Sequence, residues 1–229
     1  MNDEPTGQIG EETRARDQIC RLGASLHARG YAHGSAGNIS VRLADGRMLI
    51  TPGDASLGAL DPARLALVDA DGQPLAGDRP SKTLALHRRI YGAAPGARCV
   101  LHTHSTHLVA LSMAGVWNLS EVLPPITAYQ VMKVGTIPLV PYQPPGDPLV
   151  GDEVAARLRQ RPILGVLLER LGPLVWHRDL ASAGVVLEEL EETARLWLML
   201  DPRPKPLGPG VVRELQRRFG DPAQAIAAA

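Results

Sequence analysis

Apolar residues recur along this chain with two periods, and the switches between them mark out its elements. From residue 11 to 30, Ile19, Leu22 and Leu26 fall on one face at helical spacing, and Gly30 ends the pattern. The period then drops to two. Ile39-Ser40-Val41-Arg42-Leu43 alternates as a short strand, Asp45-Gly46 signals a hairpin, and Met48-Leu49-Ile50 returns. Leu65-Ala66-Leu67-Val68 predicts a further strand, closed by Asp71-Gly72. Helical spacing resumes over 82–93 through Leu84, His87, Ile90 and Tyr91. After the turn at Pro95-Gly96, the run Ala97, Cys99, Val100, Leu101 predicts a buried strand, with a helix following from about Ser105. Residues 136–140 and 164–168 predict buried strands flanking a helix near 147–160, and Leu174-Val175-Trp176 predicts one more. A long helix over 179–200 opens at Asp179 as N-cap. The proline-rich segment 202–209 tethers a last short helix near 210–219.

No repeat or low-complexity linker divides this pattern. It predicts one mixed α/β domain over 11–201, a flexible N-terminus over 1–10 and a C-terminal tail over 202–229. Composition narrows the class. With 45% hydrophobic and 21% charged residues among 229, the chain is neither disordered nor fibrous. Lys and Arg total 24 against 24 Asp and Glu, and they are scattered, so no basic track suits nucleic acid or a membrane surface. Aromatics at 3% are too few for base-stacking platforms. The run Glu188-Glu189-Leu190-Glu191-Glu192 predicts a solvated helix face. Cys20 and Cys99 fall in a helical pattern and a buried strand, which predicts two buried thiols rather than a disulfide. The polar start of the chain and the lack of any apolar run near ~20 residues lead to the expectation of a cytoplasmic protein.

The candidate chemistry gathers at the end of the strand after Pro95-Gly96, in His102-Thr103-His104-Ser105-Thr106-His107. Residues two apart on a strand share a face, so His102 and His104 are expected side by side, a spacing suited to a metal. Four other segments could converge there: Gly34-Ser35-Ala36-Gly37-Asn38, the loop Thr51-Pro52-Gly53-Asp54, Pro80-Ser81-Lys82, and Tyr129. The first three combine exposed backbone N–H groups with hydroxyl, amide or ammonium donors, as a phosphate or carboxylate requires. Taken singly, each is also an ordinary turn.

Their order along the chain is more specific. Gly37-Asn38-Ile39-Ser40-Val41-Arg42, Ile50-Thr51-Pro52, Pro80-Ser81-Lys82 and His102 to His107 together resemble the class II aldolase/adducin family. The likeness continues through Tyr129, Pro138 to Tyr142, Leu167 to Pro173 and Leu187 to Arg195. Within the family, Gly34 to Asn38, Pro80-Ser81-Lys82 and Val140-Pro141-Tyr142 with Pro145-Gly146-Asp147 most resemble the 3-oxo-tetronate 4-phosphate decarboxylases. The resemblance implies an αβα-layered single domain with a central mixed, mainly antiparallel sheet, assembled as a homotetramer with sites between subunits. It implies a divalent metal, usually zinc, on His102 and His104. Asn38, Thr51, Ser81 and Lys82 would bind the anionic end of a small substrate, and Tyr129 would act as proton donor in a neighbouring subunit's site. The implied reaction is a carbon–carbon lyase step of carbohydrate metabolism, decarboxylation or retro-aldol cleavage through an enediolate, with the metal as Lewis acid.

At two central positions the chain departs from the family. The family's third histidine lies in an Asn-His-Gly-like turn, which here reads Glu169-Arg170-Leu171-Gly172-Pro173, and Leu171 cannot bind a metal. The glutamate that follows the family's Pro-Ser motif is here Thr83, a poor base at neutral pH. Gly53-Asp54 also stands where a Thr-Gly pair is common. His107, Glu169 and Asp54 are the candidate substitute ligands. His27, His33, His87 and His177 are read as structural or surface residues. Three readings stay open: a lyase with a rearranged ligand set, an anion-binding or metal-free homologue, and a structural protein.

Overall fold

The computed structural model describes residues 6–227. Eight strands form one sheet in the order β4-β3-β2-β1-β5-β8-β7-β6. They are β1 (Asn38–Arg42), β2 (Met48–Ile50), β3 (Ala66–Val68), β4 (Pro74–Ala76), β5 (Cys99–His102), β6 (Leu139–Val140), β7 (Gly165–Leu168) and β8 (Gly172–His177). All neighbours pair antiparallel except β6 and β7, which are parallel, so the sheet is mixed and mainly antiparallel as expected. Among the described residues the α-helices are α1 (Thr6–Ala28), α2 (Leu84–Ala93), α3 (Thr106–Ala114), α4 (Leu149–Gln160), α5 (Leu180–Met199) and α6 (Pro209–Phe219).

Strand alternation decides which helix meets which face. Asn38 and Ser40 point from β1 toward α2, where Ser40 meets His87 and Tyr91. Ile39 and Val41 point the other way, toward α1. On that far face α1, α3 and α5 pack together, while α2 and α4 pack on each other. The result is the αβα layering that the family resemblance implies, with the apolar core between the layers.

Most predicted elements lie within a few residues of their expected limits, and Asp179 caps α5 by accepting a hydrogen bond from the Ser182 N–H. Four expectations change. β4 is an exposed edge strand whose Pro74-Leu75-Ala76 carries no alternation to betray it. The first helix already begins at Thr6, inside the segment expected to be flexible; residues 1–5 lie outside the described part. β5 stops at His102, so His104 stands in an extended link before α3 rather than on the strand. Glu191, expected on a solvated face, is buried: its carboxylate accepts hydrogen bonds from the backbone N–H groups of His107 and Leu108 and from the His107 ring. These are orphan donors of the first turn of α3, and a buried carboxylate at a helix N-terminus satisfies them. The tail is also docked. Leu207 donates its N–H to the Pro125 carbonyl, and the Arg203 guanidinium lies over the Trp197 ring. Both cysteines are free thiols, with Cys99 buried and Cys20 half-buried.

Candidate active site

The sheet register builds the site. Asn38 on β1 pairs directly with His102 on β5, and His102 pairs with Leu174 on β8. Three strand ends therefore bring an amide, an imidazole and the β7–β8 hairpin to one edge. The chain leaves β5 through a gap that only glycine permits on either side. A Cβ on Gly37 (φ 94°) would sit 2.8 Å from the His102 carbonyl oxygen, and one on Gly172 (φ 108°) would sit 2.3 Å from that of Thr103. Beyond this edge opens a cleft of about 1460 Å³.

His102 is buried at the cleft floor, and its Nδ1–H donates to the Pro173 carbonyl at 2.9 Å. That bond fixes the tautomer and leaves the Nε2 lone pair free. Burial, with His104 adding to it, pushes the His102 pKa down to about 4, although the Pro173 carbonyl opposes the shift. His104 lies with its ring centre 5.0 Å from that of His102, and its pKa is lowered by partial burial and by His33. Both rings are neutral at physiological pH and act as lone-pair donors or hydrogen-bond partners.

The donors expected to bind an anion line the same cleft. Ser35, Ala36, Gly37, Asn38, Gly53, Asp54, Ser81 and Lys82 all face the cleft. The Ser81 hydroxyl lies 3.0 Å from that of Thr83, at the start of α2, and the Thr83 side chain gives that helix no capping bond. Lys82 is exposed at the rim. Thr51 stands apart from its expected companions. It is buried, its hydroxyl accepts the Ile39 N–H at 3.2 Å, and its carbonyl accepts the Ser81 N–H at 3.2 Å, so it braces the wall from behind. Tyr129 lies outside this chain's cleft, 58% exposed, at the start of a π-helical turn over Gln130–Val134.

The fit of a metal turns on the donor set. Leu168 and Leu171 line the cleft beside the two histidines. None of the candidate substitutes joins the pair. His107 is held by Glu191, Glu169 accepts the Tyr142 N–H at 2.9 Å, and Asp54 stands in the opposite loop at φ 59°. His177 lies at the far end of β8. Among the described residues no three His, Cys, Asp or Glu side chains converge on one ion. Two imidazoles fall one short of the three protein ligands usual in catalytic zinc sites, so the residues present do not fit a resident divalent ion held by this chain alone.

Comparison with known proteins agrees with this architecture. Residues 17–198 match the model of the Class II Aldolase and Adducin N-terminal domain, and the chain belongs to that family. Its relatives are carbon–carbon lyases. A 3-oxo-tetronate 4-phosphate decarboxylase of Cupriavidus necator is 55% identical over 216 residues, covering 92% of this chain and 98% of that protein. One from Escherichia coli is 42% identical over 206 residues, covering 90% and 96%. Among solved structures, YgbL from Escherichia coli superposes with a TM-score of 0.84 at 41% identity, over 90% of this chain and 99% of that one. Among the described residues no helix is long and apolar enough to cross a membrane.

Two buried polar residues near the site had partners that sequence reasoning did not anticipate. Glu191 lies four residues after Leu187 and three before Ala194, both buried on α5, so its place on the apolar stripe was visible. His87 shares the inward face of α2 with Ile90 and Tyr91 and was read only as a structural residue.

Proposed function

We propose that the protein takes a small phosphorylated sugar acid, of the 3-oxo-tetronate 4-phosphate type, into this cleft and acts on it as a carbon–carbon lyase. One observation carries the reading: Asn38, Ser81 and Lys82 line the same cleft as His102 and His104, with Asn38 directly beside His102 across β1 and β5, in a chain 55% identical to a decarboxylase of that substrate. Lys82, Ser81 and the Asn38 amide bind the anionic end. In a 3-oxo acid, departure of carbon dioxide breaks the C1–C2 bond and passes its electron pair to the C3 oxygen, giving an enediolate. Donors already aimed at that oxygen lower the barrier. His102 cannot be such a donor, because its N–H is committed to Pro173. Its free Nε2 is suited to accept the hydrogen of a substrate hydroxyl. His104, whose ring makes no fixed bond, can turn an N–H toward the oxyanion. The zinc expectation is not carried forward, because Leu171 stands where a ligand is needed.

We further propose that Tyr129 serves the cleft of a neighbouring copy within a homotetramer and that the protein works in the cytoplasm. Its exposure and its distance from its own cleft support the first point.

A second reading is favoured by Thr83 and Leu171: the protein binds the phosphorylated acid without cleaving it. Incubation with 3-oxo-tetronate 4-phosphate, with and without added zinc, separates the two. Release of carbon dioxide and of the three-carbon ketone phosphate above the uncatalysed rate supports the lyase. Tight binding without release supports the second reading, and neither binding nor release contradicts both.

A further inference from the structure

Behind Asn38 the core holds a line of polar side chains that the site chemistry above does not use. The Asn38 Oδ1 lies 2.6 Å from Nε2 of His87, His87 Nδ1 lies 2.7 Å from the Ser40 hydroxyl, and that hydroxyl lies 2.7 Å from the Tyr91 hydroxyl. All four residues are buried, Ser40 and His87 completely. Asn38 and Ser40 are two apart on β1, and His87 and Tyr91 are one turn apart on α2, so the line crosses the sheet–helix interface twice.

Hydrogen supply sets the direction of this line. The Ser40 hydroxyl is the one hydrogen-bond partner of the Tyr91 hydroxyl among the described residues. Were the line to run from Asn38 toward Tyr91, the phenolic oxygen would accept from Ser40. The phenolic proton would then be left without an acceptor in the core, an unsatisfied buried donor. Run from Tyr91, every donor is used. Tyr91 donates to Ser40, Ser40 donates to His87 Nδ1, and His87 Nε2–H donates to Asn38 Oδ1. The carbonyl end of the Asn38 amide is then held inward, and its NH2 group is left for the cleft that Asn38 lines.

We infer that His87 is a positioning residue: kept in the Nε2–H form by Ser40 and Tyr91, it pins the Asn38 amide so that its N–H groups face the anionic end of the bound ligand. The identity of that ligand rests on the proposed function; the line itself does not. The alternative is a satisfied core histidine with no bearing on binding. A group that can be flipped costs affinity each time it must be reoriented, so fixing the amide beforehand favours binding.

Long-range proton–nitrogen spectra of the native protein with 15N-labelled histidine test the line without any ligand. The expected result is a neutral Nε2–H tautomer for His87 between pH 5 and 8, and an Nδ1–H tautomer overturns the inference. Binding is then read with 4-phospho-D-erythronate, which lacks the 3-oxo group and cannot lose carbon dioxide as a 3-oxo acid does. His87→Leu is expected to weaken it about tenfold, the value of one well-aligned hydrogen bond, whereas His87→Gln, which keeps an amide N–H near Nε2, stays within about threefold. Ser40→Ala, a smaller change, is expected to mix the two tautomers and weaken binding by about threefold. Unaltered affinity in a folded His87→Leu or Ser40→Ala protein overturns the inference. Lack of carbon dioxide release by the native protein strikes the proposed lyase reaction and leaves both of these readouts intact.

Discussion

The two walls of the cleft rise from the same sheet edge, and they differ in completeness. On one, the turn leading to Asn38, with Ser81 and Lys82, presents donors backed by braces: Thr51 holds Ser81 from behind, and His87 holds Asn38. On the other, two imidazoles share their space with Leu168 and Leu171. The backbone of that second wall is nevertheless intact. Gly172 still packs against Thr103, and Pro173 still fixes the His102 tautomer. The contrast teaches that ring orientation and ligand count have separate causes here, because the His102 tautomer is set by the Pro173 backbone carbonyl and not by the side chain at position 171.

The largest expected effect concerns how dry each wall is. His87, behind Asn38, is pushed down to about 3 by burial and by His102; His102, beside Asn38 on β5, is pushed down to about 4 by burial and by His104. Both pKa values lie below the ordinary 6.5, so the unfolded chain binds more protons than the native one as pH falls below that value. Stability contributed by the neutral rings is full above about pH 6.5 and is lost on acidification, until each ring's own low pKa is reached. Between pH 7 and pH 5 the two together should cost roughly 3–4 kcal/mol, read by urea unfolding at each pH. His102→Gln should remove about half of that loss if the walls are equally dry. An unchanged loss would locate the titration behind Asn38 alone.

Next in size is completion of the second wall. Leu171→His combined with Thr83→Glu should raise zinc affinity by roughly a hundredfold or more, measured by competition with a chromogenic chelator. No gain would mean that the hairpin no longer aims position 171 at the histidines, and the intact-backbone view would be wrong. The smallest effect is on the first wall. Lys82→Ala should weaken 4-phospho-D-erythronate roughly tenfold in low salt and less at high ionic strength, because Lys82 is exposed. Equal weakening at all salt concentrations would argue that Lys82 shapes the loop rather than attracting the anion.

Much of this was legible in the sequence, because hydrophobic periodicity is set by burial against the sheet. The order of strands and helices and the Asp179 cap follow from local patterns, whereas the meeting of residues 34–38, 81–82 and 102–104 was legible only through the order of motifs that resembles the family. The illegible parts depend on long-range partners. Thr51 looks like a ligand-binding hydroxyl until β1 claims it. Glu191 looks solvated until α3 presents its unpaired N–H groups. His87 looks like filler until Asn38, 49 positions earlier, supplies its partner. β4 is exposed on the sheet edge and has no buried face to impose alternation.

Zinc content tests the unequal walls most directly. Protein purified without chelator and without added metal, analysed for bound ions by elemental analysis, should carry well under half an equivalent of zinc or any other divalent ion per chain, while still binding 4-phospho-D-erythronate. About one tightly held divalent ion per chain would contradict the account, because it would require a ligand set that His102 and His104 alone cannot supply.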